Sequence, residues 1–170
     1  PLPDASRHAF AARAVLAATM APSWGVYSGY ERCESDPVPD KEEYRDSEKY
    51  ELKSRDHDDP GSLWPLFAEL NRIRRAHRSM WRMSSLLFHH VDGDDLIAYS
   101  HHTVHDSVPD TVVVIVNLAP DEVRDATVHL DLGALGLGDR VSFPVRDELT
   151  GEVWDWGPNG NYVRLDPAGI

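Results

Sequence analysis

The hydrophobic pattern of this chain changes its period near residue 83, and this change limits the folds that the chain can adopt. Before that point, apolar residues recur at helical spacing in two stretches, 4–20 and 62–77. After it, seven short apolar or alternating runs follow one another, separated by turns rich in Gly, Asp and Asn. Helices followed by strands predict an α+β chain whose second half is an antiparallel β-sandwich.

Both predicted helices carry start signals. The first is predicted from Asp4 to Met20, with Asp4 or Ser6 as its N-cap. The second is predicted to be capped by Ser62 and to end near His77. The apolar residues that should form its buried stripe are Leu63, Leu66, Phe67, Leu70 and Ile73.

The segment between the helices contains the candidate site. A short apolar strand over 24–27 is predicted to lead into Tyr30 and Glu31, at the strand end where barrel and open α/β folds gather their chemistry. The acidic stretch 33–61 shows no sustained period and predicts a long irregular loop. Within it, DSEKY at 46–50 combines two carboxylates, an ammonium group and a phenol. Such a set can hold sugar hydroxyls, or it can simply be a solvated polar loop.

The second half predicts a sandwich core. LLFHH and LIAYSHH flank the turn VDGDD and predict a hairpin. TVVVIVNL, at 111–118, is apolar on both faces, which predicts a central strand. The residues that we expect to be buried in this half are Val113, Ile115, Leu118, Phe143 and Trp154.

Two groups of side chains on these strands permit other functions. The histidines of the predicted hairpin (His89, His90, His101, His102 and His105) could approach a common metal ion. However, adjacent histidines on a strand point to opposite faces, and no ligand spacing is recognisable, so we predict surface and edge histidines and no metal site. Trp154 and Trp156 share one face of a strand, which suits stacking on glucose rings as well as ordinary packing.

The overall charge excludes several partner classes. The formal net charge of -12 argues against nucleic acid and against anionic membranes, since both require basic surfaces. No apolar run approaches the roughly 20 residues of a membrane span, and no signal-peptide pattern is present at the start. The single cysteine, Cys33, cannot form an internal disulfide and fits a reducing compartment. We therefore expect a cytoplasmic location.

Four motifs together resemble one family. They are PSWGVYSGYE at 22–31, DSEKY, ELNRIRRAH at 69–77 and LLFHHVDGDDLIAYS at 86–100. The chain resembles the bacterial α-1,4-glucan:maltose-1-phosphate maltosyltransferases of the α-amylase superfamily. This resemblance implies that residues 1–82 are the last helix, strand and helix of a catalytic (β/α)₈ barrel and that 83–170 form its C-terminal β-sandwich domain. A whole barrel takes about 250 residues, so we expect a C-terminal fragment that begins within a domain.

The resemblance also implies a reaction. Family members transfer a maltosyl unit from α-maltose 1-phosphate to an α-1,4-glucan, and the Lys-Tyr pair that binds the maltosyl group falls on Lys49 and Tyr50. Tyr27 and Tyr30 would line the pocket floor, and Glu31 would anchor the loop. The catalytic carboxylates come from earlier strands, so no catalytic residue is expected here. No cofactor is implied, and the parent enzyme is expected to be a homodimer.

Two other functions stay open at this point. The first is another enzyme of the same superfamily, such as an α-amylase or a trehalose synthase, which would share YSGYE but not DSEKY. The second is a non-catalytic glucan-binding module, which an exposed Trp154 and Trp156 face would favour.

Overall fold

The computed structural model describes residues 5–38, 44, 52–56 and 58–169. Two α-helices, α1 (Arg7–Met20) and α2 (Trp64–Ala76), precede seven β-strands. The strands are β1 (Leu86–Val91), β2 (Leu96–His105), β3 (Val108–Asn117), β4 (Arg124–His129), β5 (Phe143–Arg146), β6 (Val153–Trp156) and β7 (Asn161–Leu165). The predicted α+β arrangement is confirmed, and all seven strands lie where the sequence pattern predicts them. Among the described residues, no helix is long and apolar enough to cross a membrane.

Helix α1 begins at the predicted cap. The Ser6 hydroxyl accepts a hydrogen bond from the Ala9 amide at 3.2 Å, which satisfies one of the free donors of the first turn. At the other end, the Arg74 guanidinium of α2 donates to the Ala18 and Ala21 carbonyls, the latter at 2.9 Å. A cation at this position also complements the helix dipole. Arg74 therefore fixes the end of α1 against α2.

Helix α2 shows the predicted buried stripe. Leu63, Phe67, Leu70 and Ile73 are buried, and Leu66 is partly buried. The prediction that Ser62 is the N-cap is wrong by one residue, because Leu63 holds that position. The Ser62 hydroxyl still accepts a hydrogen bond from the Trp64 amide at 3.2 Å. The core between the two helices consists of Phe10, Ala11, Ala14, Leu63 and Phe67.

The main sheet has five antiparallel strands in the order β3-β2-β1-β4-β7. The predicted β1–β2 hairpin is confirmed, with Leu86 opposite His101. The prediction that 111–118 is a central strand is wrong, because β3 pairs only with β2 among the described residues. Its two apolar faces have another cause. Val114 and Val116 pack with Tyr99 against α1, and the opposite face lines a hollow beside β5 and β6.

A second, two-stranded sheet of β5 and β6 lies across that hollow. The open hollow measures about 1520 Å³ and also touches α2, the edge of β3 and β7. Phe143 is buried as predicted, and Val113 and Ile115 are half-buried. The predicted burial of Leu118 and Trp154 is wrong, because these side chains are 49% and 45% exposed. Among the described residues, β6 pairs only with β5, and the Trp154 side chain borders the open hollow.

A buried polar contact docks α1 on the sheet. The Tyr99 and Thr19 hydroxyls are 2.5 Å apart, and His101 Nε2 lies 2.6 Å from the Thr19 carbonyl oxygen. Ser85 Oγ lies 2.9 Å from the other ring nitrogen of His101. The expectation that the histidines lie at surfaces and edges is therefore wrong for His101, which is buried because it anchors the end of α1.

The strand predicted over 24–27 is not formed in the structure, where this segment is irregular. A strand requires a neighbouring strand for its hydrogen bonds, and none of the described residues pairs with this segment. Instead, the Trp24 indole N–H donates to the Asn71 side-chain oxygen at 3.1 Å, and its ring packs edge-on against Phe67.

Candidate functional site

The candidate site is the turn formed by residues 28–34. Gly29 has φ of +94°, a conformation that glycine adopts without steric cost, and Tyr30–Arg32 make one 3₁₀ turn. The Cys33 amide closes this turn by donating to the Tyr30 carbonyl at 2.9 Å, and Cys33 itself has φ of +57°. The predicted junction between Tyr27 and Glu31 is therefore a tight, internally bonded turn.

Glu31 is the middle residue of the 3₁₀ turn, and it is buried. Its carboxylate oxygen Oε2 accepts a hydrogen bond from the Gly29 amide at 2.9 Å. Its backbone carbonyl accepts a second hydrogen bond from the Leu63 amide at 2.7 Å and so joins the turn to the start of α2. These bonds occupy Glu31 in holding the loop.

The two tyrosines of the predicted pocket have different surroundings. The Tyr30 ring packs edge-on against Phe10, with 4.9 Å between ring centroids, and its hydroxyl donates to the Phe10 carbonyl at 2.8 Å. Burial raises the pKa of Tyr30 to about 12. Tyr27 is 57% exposed and presents its ring to solvent. Of the two, Tyr27 has the ring face that a ligand can reach.

Arg55 binds the turn from the far end of the acidic loop. Its guanidinium donates two hydrogen bonds to the Glu34 carboxylate, each 2.9 Å long, and a third to the Ser28 hydroxyl at 2.9 Å. A β-carbon at Gly29 would stand 2.3 Å from Glu34 Oε2, so glycine is also required to admit this pair. The bond to Arg55 lowers the pKa of Glu34 below its usual range.

Other contacts hold the same loop end beside the turn. Lys53 Nζ lies 3.8 Å from Glu34 Oε2. Arg32 donates to the Asp56 carbonyl at 2.9 Å and pairs with the Asp59 carboxylate at 3.3 Å. Three cations and several acceptors thus surround one side of the turn, although the chain as a whole is acidic.

Lys49 and Tyr50, the predicted maltosyl-binding pair, lie outside the described residues. The sequence analysis did not identify Glu34 and Arg55, which hold the turn and the loop together. Both lie in the loop of 33–61, and nothing in their spacing of 21 residues indicates that they meet. The only available signal was an arginine and a glutamate at opposite ends of a loop of otherwise mixed charge.

Two arginines of α2, Arg72 and Arg74, contact other parts of the chain. Arg74 is occupied by the carbonyls at the end of α1. Arg72 pairs with Glu69 and also with Glu148, at 2.9 Å, in the turn between β5 and β6. Arg72 therefore links α2 to the β5–β6 turn.

Comparison with known proteins shows which family this chain resembles. Residues 88–170 match the family model described as "GLGE, C-terminal". The α-1,4-glucan:maltose-1-phosphate maltosyltransferase 2 of Streptomyces coelicolor is 48% identical over 98% of this chain and 25% of its own length. The corresponding proteins of Corynebacterium glutamicum and Mycolicibacterium smegmatis are 48% and 50% identical, over 98% and 94% of this chain and 25% and 23% of their own lengths.

The chain thus spans about a quarter of the length of the curated relatives that it matches. Identity near one half, extending through both the helical and the strand-rich parts, is the relationship that the four motifs indicated. The chain belongs to the family of α-1,4-glucan:maltose-1-phosphate maltosyltransferases, and it corresponds to a C-terminal part of these proteins.

Proposed function

We propose that this chain is the C-terminal part of an enzyme that transfers maltosyl units from α-maltose 1-phosphate to the non-reducing end of α-1,4-glucans and releases phosphate. One observation carries this assignment, namely 48% identity over 98% of the chain to a protein whose name states the donor and the acceptor. The enzyme belongs to glucan biosynthesis and, in this proposal, is a cytoplasmic homodimer.

The reaction retains configuration in two displacements. A carboxylate of the enzyme forms a bond to the anomeric carbon while the bond from that carbon to the phosphate oxygen breaks, and the phosphate departs with the electron pair. An acceptor hydroxyl then attacks the same carbon, gives its proton to a general base and releases the carboxylate. Neither the nucleophilic carboxylate nor the general base is assigned to this chain.

In this proposal, the chain supplies part of the donor pocket. Lys49 and Tyr50 bind the maltosyl group, and Tyr27 and Tyr30 lie at the pocket floor with Glu31 as anchor. Two observations support this role. The Tyr27 ring is accessible, and Lys53, three positions after Tyr50, pairs with Glu34 of the turn. In the complete protein, residues 1–82 would end the catalytic barrel, and strands from the preceding part of the protein would pair with segment 24–27.

The chain alone should not catalyse transfer. Without a nucleophilic carboxylate the first displacement cannot occur. The test is incubation of the 170-residue chain with α-maltose 1-phosphate and glycogen, with phosphate release as the readout. Release above the blank would show that the chain contains its own nucleophile.

In the complete enzyme, Lys49→Ala and Tyr50→Phe should weaken donor use. Each change removes a hydrogen bond to the maltosyl group. Such a bond is worth about 1.5–3 kcal/mol where a charge is involved, so its loss should lower kcat/KM about ten-fold or more. Arg82→Ala is the control, because Arg82 is an exposed cation outside both the turn and the hollow. An unchanged kcat/KM in both variants would remove Lys49 and Tyr50 from the site.

One observation favours a second candidate function, a glucan-binding surface on the strand-rich half. Trp154 and Tyr162 line the open hollow, and each is substantially exposed. Aromatic rings in such a position can stack on glucose. Binding of maltooligosaccharides that Trp154→Ala abolishes would establish this function. Trp81→Ala, at an exposed tryptophan outside the hollow, is the control.

A further inference from the structure

A group of three metal-ligating side chains lies on the five-stranded sheet, away from the turn of 28–34. His90 near the end of β1 is directly opposite His129 at the end of β4. Their imidazole rings stack with centroids 5.3 Å apart and planes 29° apart. Asp92 follows β1 immediately and completes the group.

The donor atoms of this group converge. His90 Nε2 lies 3.2 Å from Asp92 Oδ1, and His129 Nε2 lies 3.1 Å from the same oxygen. Each residue offers one ligand atom, and all three atoms lie within 4.8 Å of one another. For bonds of about 2.0–2.1 Å, the ligands of a tetrahedral ion stand about 3.3 Å apart. The two nitrogen–oxygen separations are close to that spacing.

The backbone holds two of the ligands in place. The Asp92 amide donates to the Thr127 carbonyl at 3.0 Å, which fixes the start of the turn after β1. The His129 ring packs over Gly160, where an added β-carbon would stand 3.0 Å from ring atom Cε1. Gly160 has φ of +93° in the turn before β7 and leaves the space that this ring occupies. The fold therefore fixes the backbone at Asp92 and the position of the His129 ring, and the strand register places His90 directly opposite that ring.

We propose that His90, Asp92 and His129 bind one divalent transition-metal ion. Two imidazoles and one carboxylate suit Zn²⁺ in particular, and three protein ligands leave a fourth position for water or an external group. All three side chains are at least 40% exposed, so an added ion can reach them.

The ion would join the two parts of the main sheet. β1 and β4 share only two register pairs, whereas β2 and β3 share ten. One of those two pairs is His90 opposite His129. An ion bound by both histidines would therefore cross-link strands β1–β3 to strands β4 and β7 at the strand pair with the fewest register pairs. Because it would bind only the folded chain, it would also raise the unfolding temperature.

The test is titration of the tag-free 170-residue chain with Zn²⁺ by calorimetry and with Co²⁺ by visible absorption, which reports ligand geometry. We expect one ion per chain. His129→Ala and Asp92→Ala should each weaken binding at least about ten-fold, since loss of even an outer partner of a metal ligand has an effect of that size. They should also abolish the rise in unfolding temperature on adding Zn²⁺.

His105→Ala is the matched control, because His105 is also an exposed strand histidine that pairs with a neighbouring aspartate, Asp106, at 2.7 Å. It should leave binding unchanged. The absence of saturable binding at millimolar Zn²⁺ would overturn the proposal. So would a loss smaller than ten-fold in either ligand variant, or an equal loss in His105→Ala.

Discussion

The pair between Arg55 and Glu34 is the contact that should most affect the stability of the candidate turn. Two parallel hydrogen bonds of 2.9 Å join the guanidinium to the carboxylate. The Arg55 side chain is 8% exposed and that of Glu34 is 36% exposed. Fully exposed ion pairs contribute about 0.2–1 kcal/mol, whereas removing one partner of a buried pair costs about 3–5 kcal/mol. Between these limits, we expect a coupling of about 1–2 kcal/mol.

A double-mutant cycle measures this coupling directly. The free energy of unfolding is determined by urea denaturation for the unchanged chain, Arg55→Met, Glu34→Gln and the double variant. The exposed pair of Glu69 and Arg72, tested in the same way, is the control and should give at most about 0.5 kcal/mol. A coupling below about 0.3 kcal/mol for Arg55 and Glu34 would refute the view that this pair holds the loop to the turn.

Three further predictions concern single residues. Burial lowers the pKa of His101 below the usual value of about 6.5. As the pH falls, the unfolded chain therefore takes up a proton at His101 before the folded chain does. The contribution of His101 to the free energy of unfolding should therefore be fully present above about pH 6.5 and should fall as the pH drops below that value. The urea midpoint of His101→Gln should depend less on pH than that of the unchanged chain. Phe67→Ala should cost about 3–5 kcal/mol in the same assay, whereas Leu118→Ala, at an exposed position, should cost far less. In the complete enzyme, Glu31→Gln keeps an acceptor for the turn and should lower kcat less than about ten-fold in an initial-rate assay, and a loss of several thousand-fold would make Glu31 catalytic.

The helices and strands could be predicted from the sequence because their signals are local. Ser6 precedes a helical apolar pattern and caps α1, and Leu63 and Phe67 repeat at helical spacing and are buried. The position of 111–118 in the sheet could not be predicted in the same way. An apolar strand has the same sequence whether strands flank it or a helix and a hollow cover it, and Val114 packs against α1.

The side chains that hold the candidate site were hidden for a related reason. Glu34 and Arg55 meet across a loop whose sequence has no period, so only the folded chain brings them together. His101 looked like its exposed neighbours on the same strand, but it is buried beneath the end of α1. The pairing of His90 with His129 could not be predicted, because His129 faces His90 across the β1–β4 seam and not within the hairpin. The family, in contrast, was evident from short motifs, which record ancestry without requiring the pairing to be known.

The donor reaction of the complete protein tests the central claim most directly. The protein is incubated with α-maltose 1-phosphate and a short maltooligosaccharide, and the products are analysed by mass spectrometry. A maltosyltransferase extends the acceptor in steps of two glucosyl residues and releases one phosphate for each step. Steps of a single glucosyl residue, or trehalose or free maltose as the main product with no chain growth, would contradict the assignment and favour another enzyme of the α-amylase superfamily.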